Sequence, residues 1–129
     1  MWGLCFSVRP WLPLCLVGLV PLFLLIGQPR AWLLGWLHGI ATWFVAMFWL
    51  LDTLTTYGAI EGWLAGLLLL GLAAFLGLYH AAFAALGSRL WRRGSLVALA
   101  ALPALWVLLE VLRGVAFSGF PWNLAAYAW

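Results

Sequence analysis

The chain has 129 residues, of which 68% are hydrophobic and 7% charged, with a mean hydropathy of +1.15 and a net charge of +3. A soluble domain has no means of hiding that much apolar surface, so the composition excludes an ordinary soluble enzyme or binding module and points to an integral membrane protein. All six basic residues are arginines, and the acids are Asp52, Glu61 and Glu110; so small a positive excess gives no argument for a nucleic-acid partner.

Charges divide the chain into four apolar runs, and a hydrocarbon core about 30 Å thick needs about 20 helical residues. The sequence predicts an all-α, polytopic transmembrane bundle of about four helices, over residues 11–26, 31–51, 62–87 and 95–117, with no soluble domain.

The first helix carries Pro13 and Pro21, which kink it. It ends in Gly27-Gln28-Pro29-Arg30 without a small-residue cleavage pattern, so it reads as retained rather than as a signal peptide. Cys5 lies before this run and Cys15 inside it. Neither has neighbours that would make a metal site, and both read as small apolar filler.

The second helix places Trp32, Trp36 and Trp43 as a packing stripe, with Gly35 and Gly39 spaced for a close helix crossing. His38 on this helix and His80 on the third read as neutral, hydrogen-bonding residues that face other helices. Asp52, in Asp52-Thr-Leu-Thr-Thr-Tyr57-Gly58, closes the second helix as an interfacial polar end. Gly62 and Gly66 open the third helix with the same small-residue spacing. Trp11, Trp32, Trp63, Trp91, Trp122 and Trp129 mark expected interfaces.

The fourth helix carries Glu110 and Arg113, three apart and hence on one face. Ionisable groups at membrane depth are costly and mark functional candidates. One reading is an intrahelical ion pair near the outer boundary. The other, compatible with it, is a contact between Arg113 and a lipid phosphate. Pro121 then stops the helix and biases Phe120 to an extended backbone, with Phe120 and Trp122 expected to face lipid or headgroups.

Orientation follows from the arginines. Placing Arg30, Arg89, Arg92 and Arg93 in the cytoplasm leaves only Arg9 and Arg113 outside, with both chain ends on the periplasmic side.

The run LPALWVLLEVLRG (Leu102 to Gly114), then Ser118-Gly-Phe-Pro-Trp-Asn123 and Tyr127, resembles the membrane region of bacterial apolipoprotein N-acyltransferases. Gly77-Leu-Tyr-His80 with Ser88-Arg-Leu-Trp91, Gly35-Trp-Leu-His-Gly39 with Trp49 and Tyr57-Gly58, and Phe6-Ser7 with Trp11 extend the likeness over nearly the whole chain. The resemblance implies an enzyme of the inner membrane that moves an acyl chain from a phospholipid to the N-terminal cysteine amine of a lipoprotein. It implies eight helices and a nitrilase-like periplasmic domain bearing a Glu, Lys and Cys triad, in which a thiolate takes the acyl group and a cation steadies the oxyanion.

This chain has no lysine, and its two cysteines precede the second helix. The chain therefore reads as a fragment or truncated member, the family's second to fifth helices without the catalytic domain, and inactive by itself. No catalytic residue is carried over, and no metal or cofactor is expected. Glu110, Arg113, Phe120, Pro121, Trp122 and Asn123 carry over as a motif on the lipid side. The expected partners are phospholipid, the membrane and, through the missing domain, the lipoprotein substrate. The alternatives are a small structural or interaction bundle and a transporter subunit lined by His38, His80 and Glu110. Against the latter, His80 is expected toward the cytoplasm and Glu110 toward the outside.

Overall fold

The computed structural model describes residues 19–116 and 119–120, and every regular element among them is helical. The first predicted helix up to residue 18, both cysteines, and Pro121, Trp122 and Asn123 lie outside the described residues. Residues 19–24 are helical and lead through a turn to α1 (Ala31–Ala46). A short α2 (Trp49–Asp52) follows and runs on as a π-helical turn (Thr53–Tyr57). Then come the long α3 (Gly62–Trp91) and α4 (Ser95–Val115).

Among the described residues, two helices, α3 and α4, are long and apolar enough to cross a membrane; α1 and α2, with the π-helical turn, make a third if the bent pair is counted as one span. The second predicted helix thus appears as two, whose axes differ by 54°. Neither proline nor glycine stands at the break. The ladder tightens there, with Phe48 N–H donating to Val45 O and Leu50 N–H to Met47 O, three residues back instead of four. Beyond it, Thr55 Oγ1 donates to Leu51 O at 2.9 Å and Thr56 Oγ1 to the Asp52 carboxylate at 3.3 Å. These short polar side chains satisfy the end of the helix locally, as expected of an interfacial terminus.

Helix α3 extends four residues past the expected Gly87, to Trp91. Ser88 explains the extension. Its hydroxyl donates to Ala84 O at 2.6 Å and accepts the Gly27 N–H at 3.0 Å, so it both stays in the helix and ties down the turn before α1. At 30 residues, α3 is about 45 Å long and exceeds a bilayer core of about 30 Å.

Glycines set the spacing of α1 and α3. A Cβ added at Gly39 would lie 2.6 Å from Gly77 Cα, and one at Gly35 2.8 Å from His80 O. The backbones touch, as small residues allow in membrane helices. The indole N–H of Trp36 donates across this seam to Ala74 O at 2.9 Å. Gly62 and Gly66, with the same spacing, have no atom within 4 Å of a would-be Cβ, so no crossing forms there among the described residues. The tryptophan stripe also divides: Trp43 is buried, Trp36 reaches α3 and Trp32 is 55% exposed.

Two apolar clusters complete the packing. Leu22, Phe83, Ala84, Ala98, Leu102 and Leu109 join α3, α4 and residues 19–24. Trp43, Met47, Leu69, Ala73 and Leu76 join α1 to the first half of α3. Leucines and valines elsewhere on α3 and α4 are widely exposed, as on helices solvated by lipid.

Candidate functional site

Helix α4 presents Trp106, Glu110 and Arg113 at spacings of four and three, which puts them on one face. That face turns inward. Arg113 is 4% exposed, and its Nη2 lies 3.9 Å from Glu110 Oε1. The expected pairing of the two is therefore present. A second contact was not legible in the spacing: the guanidinium sits over the indole of Trp43 on α1, 4.5 Å from the ring centroid. The negative face of the indole attracts a desolvated cation, so Arg113 is held from two directions.

The helix end closes over this group. Ala116 leaves the helix with an extended backbone, and Gly119 has φ +83, a left-handed conformation that suits a residue without Cβ. The chain turns back, Gly119 N–H donates to Ala116 O at 2.9 Å, and Phe120 N–H donates to Arg113 O at 2.8 Å. The sequence expects Phe120 to face lipid or headgroups; in the structure it is half-buried. Its ring instead stands edge-on to Trp43, centroids 6.1 Å apart, and packs against the α1–α3 cluster. The return turn, invisible in residue counting, is what redirects it.

Below Arg113 lies an aromatic and imidazole nest. The His80 ring is 5.5 Å from His38, 6.4 Å from Trp43 and 5.5 Å from Trp106, and His80 is 2% exposed. Both histidines face another helix, as expected. Tyr79, His80, Trp106, Glu110 and Arg113, with Trp43 and Leu109, line a cavity of about 20 Å³. That is room for one water molecule and too little for a phosphate. His80 and Glu110, which the sequence reading separated in depth, share this cavity. Because α3 is longer than the membrane is thick, counting from its ends misplaces its middle.

A second, apolar cavity of about 180 Å³ is lined by Met47, Trp49, Leu50, Leu72 and Phe120, whose ring touches the Trp43 that lines the first. Among the described residues, no three His, Cys, Asp or Glu side chains gather as a metal site. The arrangement is a charged brace, Glu110–Arg113–Trp43, and an apolar slot, linked by the contact of Phe120 with Trp43.

The whole chain, residues 1–129, matches the family model described as the apolipoprotein N-acyltransferase N-terminal domain. It is 39% identical over 120 residues to the apolipoprotein N-acyltransferase of Chromobacterium violaceum, covering 92% of this chain and 23% of that protein. The Azotobacter vinelandii protein of the same name is 41% identical over 122 residues, covering 90% and 23%. That of Ralstonia nicotianae is 33% identical over 136 residues, covering 99% and 26%. The chain thus spans about a quarter of the length of these curated relatives. No solved structure matches it.

Proposed function

The chain belongs to the apolipoprotein N-acyltransferase family, as its N-terminal domain, and from that premise we propose that it is the membrane-embedded part of an enzyme that transfers an acyl chain from a phospholipid to the N-terminal cysteine amine of lipoproteins. The full-length family match carries this reading. The bundle spans the bacterial inner membrane with four helices and both ends periplasmic; the arginine asymmetry supports the orientation.

In this reading the brace and the slot serve the lipid side of the reaction. The apolar cavity at Met47, Leu50, Leu72 and Phe120 suits an acyl chain, and lies at the end of the bundle where Arg113 and the return turn meet. Glu110 and Arg113 keep the wall rigid. Burial of Arg113 under Trp43 favours this structural role over direct contact with a phosphate, which would require the guanidinium to leave the ring. Phe120, with Pro121, Trp122 and Asn123 following it in sequence, forms the wall on the side from which lipid arrives. A transporter would need a connected polar path, and the about 20 Å³ polar cavity is bounded by bulky aromatic rings.

The test uses the full-length protein that carries this domain, in membranes containing phospholipid with a labelled acyl chain and a diacylated lipopeptide. Triacylated lipopeptide is expected, and its yield should fall when Phe120 or Leu72 is replaced by Trp to fill the slot. Absence of product from a folded full-length protein would overturn the acyltransferase reading. Undiminished product from both filled variants would overturn the assignment of the slot.

A further inference from the structure

A larger apolar groove lies elsewhere. It measures about 460 Å³, within the size range of ligand sites, and is lined by Phe23, Ile26, Trp91, Leu99, Leu102 and Pro103, among others. It runs between residues 23–26 and the first turns of α4, from Trp91 at the helix end to Pro103. Ser95 to Pro103 is a rise of about 12 Å, so the groove reaches well below the interface, where the surrounding medium is hydrocarbon.

Its mouth is basic. Trp91 is followed at once by Arg92 and Arg93, and Arg89 stands in the last turn of α3. Gly27 approaches the Trp91 ring, with a would-be Cβ 3.5 Å from Trp91 Cδ1, and this brings the turn carrying Arg30 to the same end of the bundle. All four arginines are exposed. Among the described residues none of the four has a carboxylate partner: Glu110 pairs with Arg113, while Asp52 and Glu61 stand at the other end of α3. Four cations without counter-charge, around the mouth of an apolar slot bordered by an interfacial tryptophan, complement a molecule with an anionic head and a hydrocarbon tail.

We propose that this groove binds one acyl chain of an anionic phospholipid whose phosphate is held by Arg92 and Arg93, with Arg30 and Arg89 adding to the local field. The site lies at the opposite end of α4 from Arg113, roughly 27 Å away along the helix, and is distinct from the acyl-donor slot. The lipid seated here is not a reactant. It fills the gap between residues 19–26 and α4 and fixes α4, a helix that the glycine seam does not hold. Zwitterionic lipid has the same tail but no net charge for the arginines to meet.

The experiment is photo-crosslinking of the full-length protein in nanodiscs, using phosphatidylglycerol with a diazirine near the middle of one acyl chain and the matching phosphatidylethanolamine probe. Label from the glycerol probe is expected on peptides covering residues 19–27 and 91–103, displaced by unlabelled phosphatidylglycerol and weakly or not at all by phosphatidylethanolamine. The exposed pair Arg92→Gln with Arg93→Gln should weaken that labelling about 25-fold, a factor of about 5 for each charge lost near a surface. Arg92→Lys with Arg93→Lys should restore it, and Leu99→Trp should block it with all arginines intact. A melting curve for each variant separates loss of the site from loss of the fold. Equal labelling by the two probes, labelling unchanged in the glutamine pair, or no label in either segment because protein covers the groove would each overturn the proposal. Because the readout is lipid binding rather than acylation, it stands or falls separately from the acyltransferase reading.

Discussion

The guanidinium of Arg113 and the indole of Trp43 face each other across the α4–α1 boundary, with 4.5 Å between the guanidinium carbon and the ring centroid. Arg113 and Trp43 are each 4% exposed. A cation so enclosed is tolerable only because Glu110 and the ring share the work that water would otherwise do.

The first prediction follows from that sharing. Arg113→Met strands Glu110, and breaking a buried pair costs up to about 3–5 kcal/mol. Arg89→Ala, at an exposed site, should cost under about 0.5 kcal/mol. In a double-mutant cycle, Trp43→Leu and Arg113→Met should couple by about 1–2 kcal/mol. Reversible denaturation in mixed micelles measures all three. A coupling indistinguishable from zero would show that ring and cation are neighbours without interaction.

Glycine substitutions give a second, sharper contrast. Gly39→Ala drives a methyl into the Gly77 backbone, which has no rotamer to move, and overpacking of this kind costs about 1–3 kcal/mol. Gly66→Ala meets nothing within 4 Å and should be neutral or stabilising by up to about 1 kcal/mol, the helix preference of alanine over glycine. The melting temperatures of the two variants should move in opposite directions or differ by several degrees. Equal shifts would mean that α1 and α3 do not meet at Gly39.

The two glycine pairs also show how far the sequence could be read. Gly35/Gly39 and Gly62/Gly66 have identical spacing, yet one lies against a neighbouring backbone and the other in the open. The spacing says that a backbone can be approached; it does not say that another helix is there. The Glu110–Arg113 pair was legible because it is local, a matter of helical pitch alone. The roles of Trp43 and Phe120 beside it were not, since they depend on a crossing and on a return turn. The bend after Ala46 was hidden for another reason: no proline or glycine marks it, and a tightening of three hydrogen bonds produces it.

The third prediction concerns orientation. A phosphatase reporter fused after Tyr57 should be active, and a fluorescent protein fused after Arg93 should glow in the cytoplasm, as the placement of Arg30, Arg89, Arg92 and Arg93 requires. The reverse pattern at both positions would invert the proposed topology, and with it the leaflet that each lipid site faces.

The fourth concerns chemistry. The 129 residues purified by themselves are expected to yield no triacylated lipopeptide. An acyl carrier needs an activated nucleophile. Cys15 lies in an apolar run with no base beside it in sequence, and Cys5 has no base in its segment. The chain contains no lysine to accompany either. Incubation with labelled phospholipid and a diacylated lipopeptide, read by mass spectrometry, checks this. An acyl thioester on Cys5 or Cys15 would refute it.

The bare backbone contact between α1 and α3 has a mechanical consequence. Side chains that interdigitate let helices part in small steps, one rotamer at a time. Where Gly39 meets Gly77, nothing can swing aside, so this pair separates as a whole or stays closed. It behaves as a stator. By contrast, α4 leans on its neighbours through leucine and tryptophan side chains and contains Pro103, a residue with no N–H to complete the ladder at Leu99. The described helices thus meet in two ways, α1 and α3 fixed backbone to backbone and α4 held by side chains and, near one end, by a single arginine.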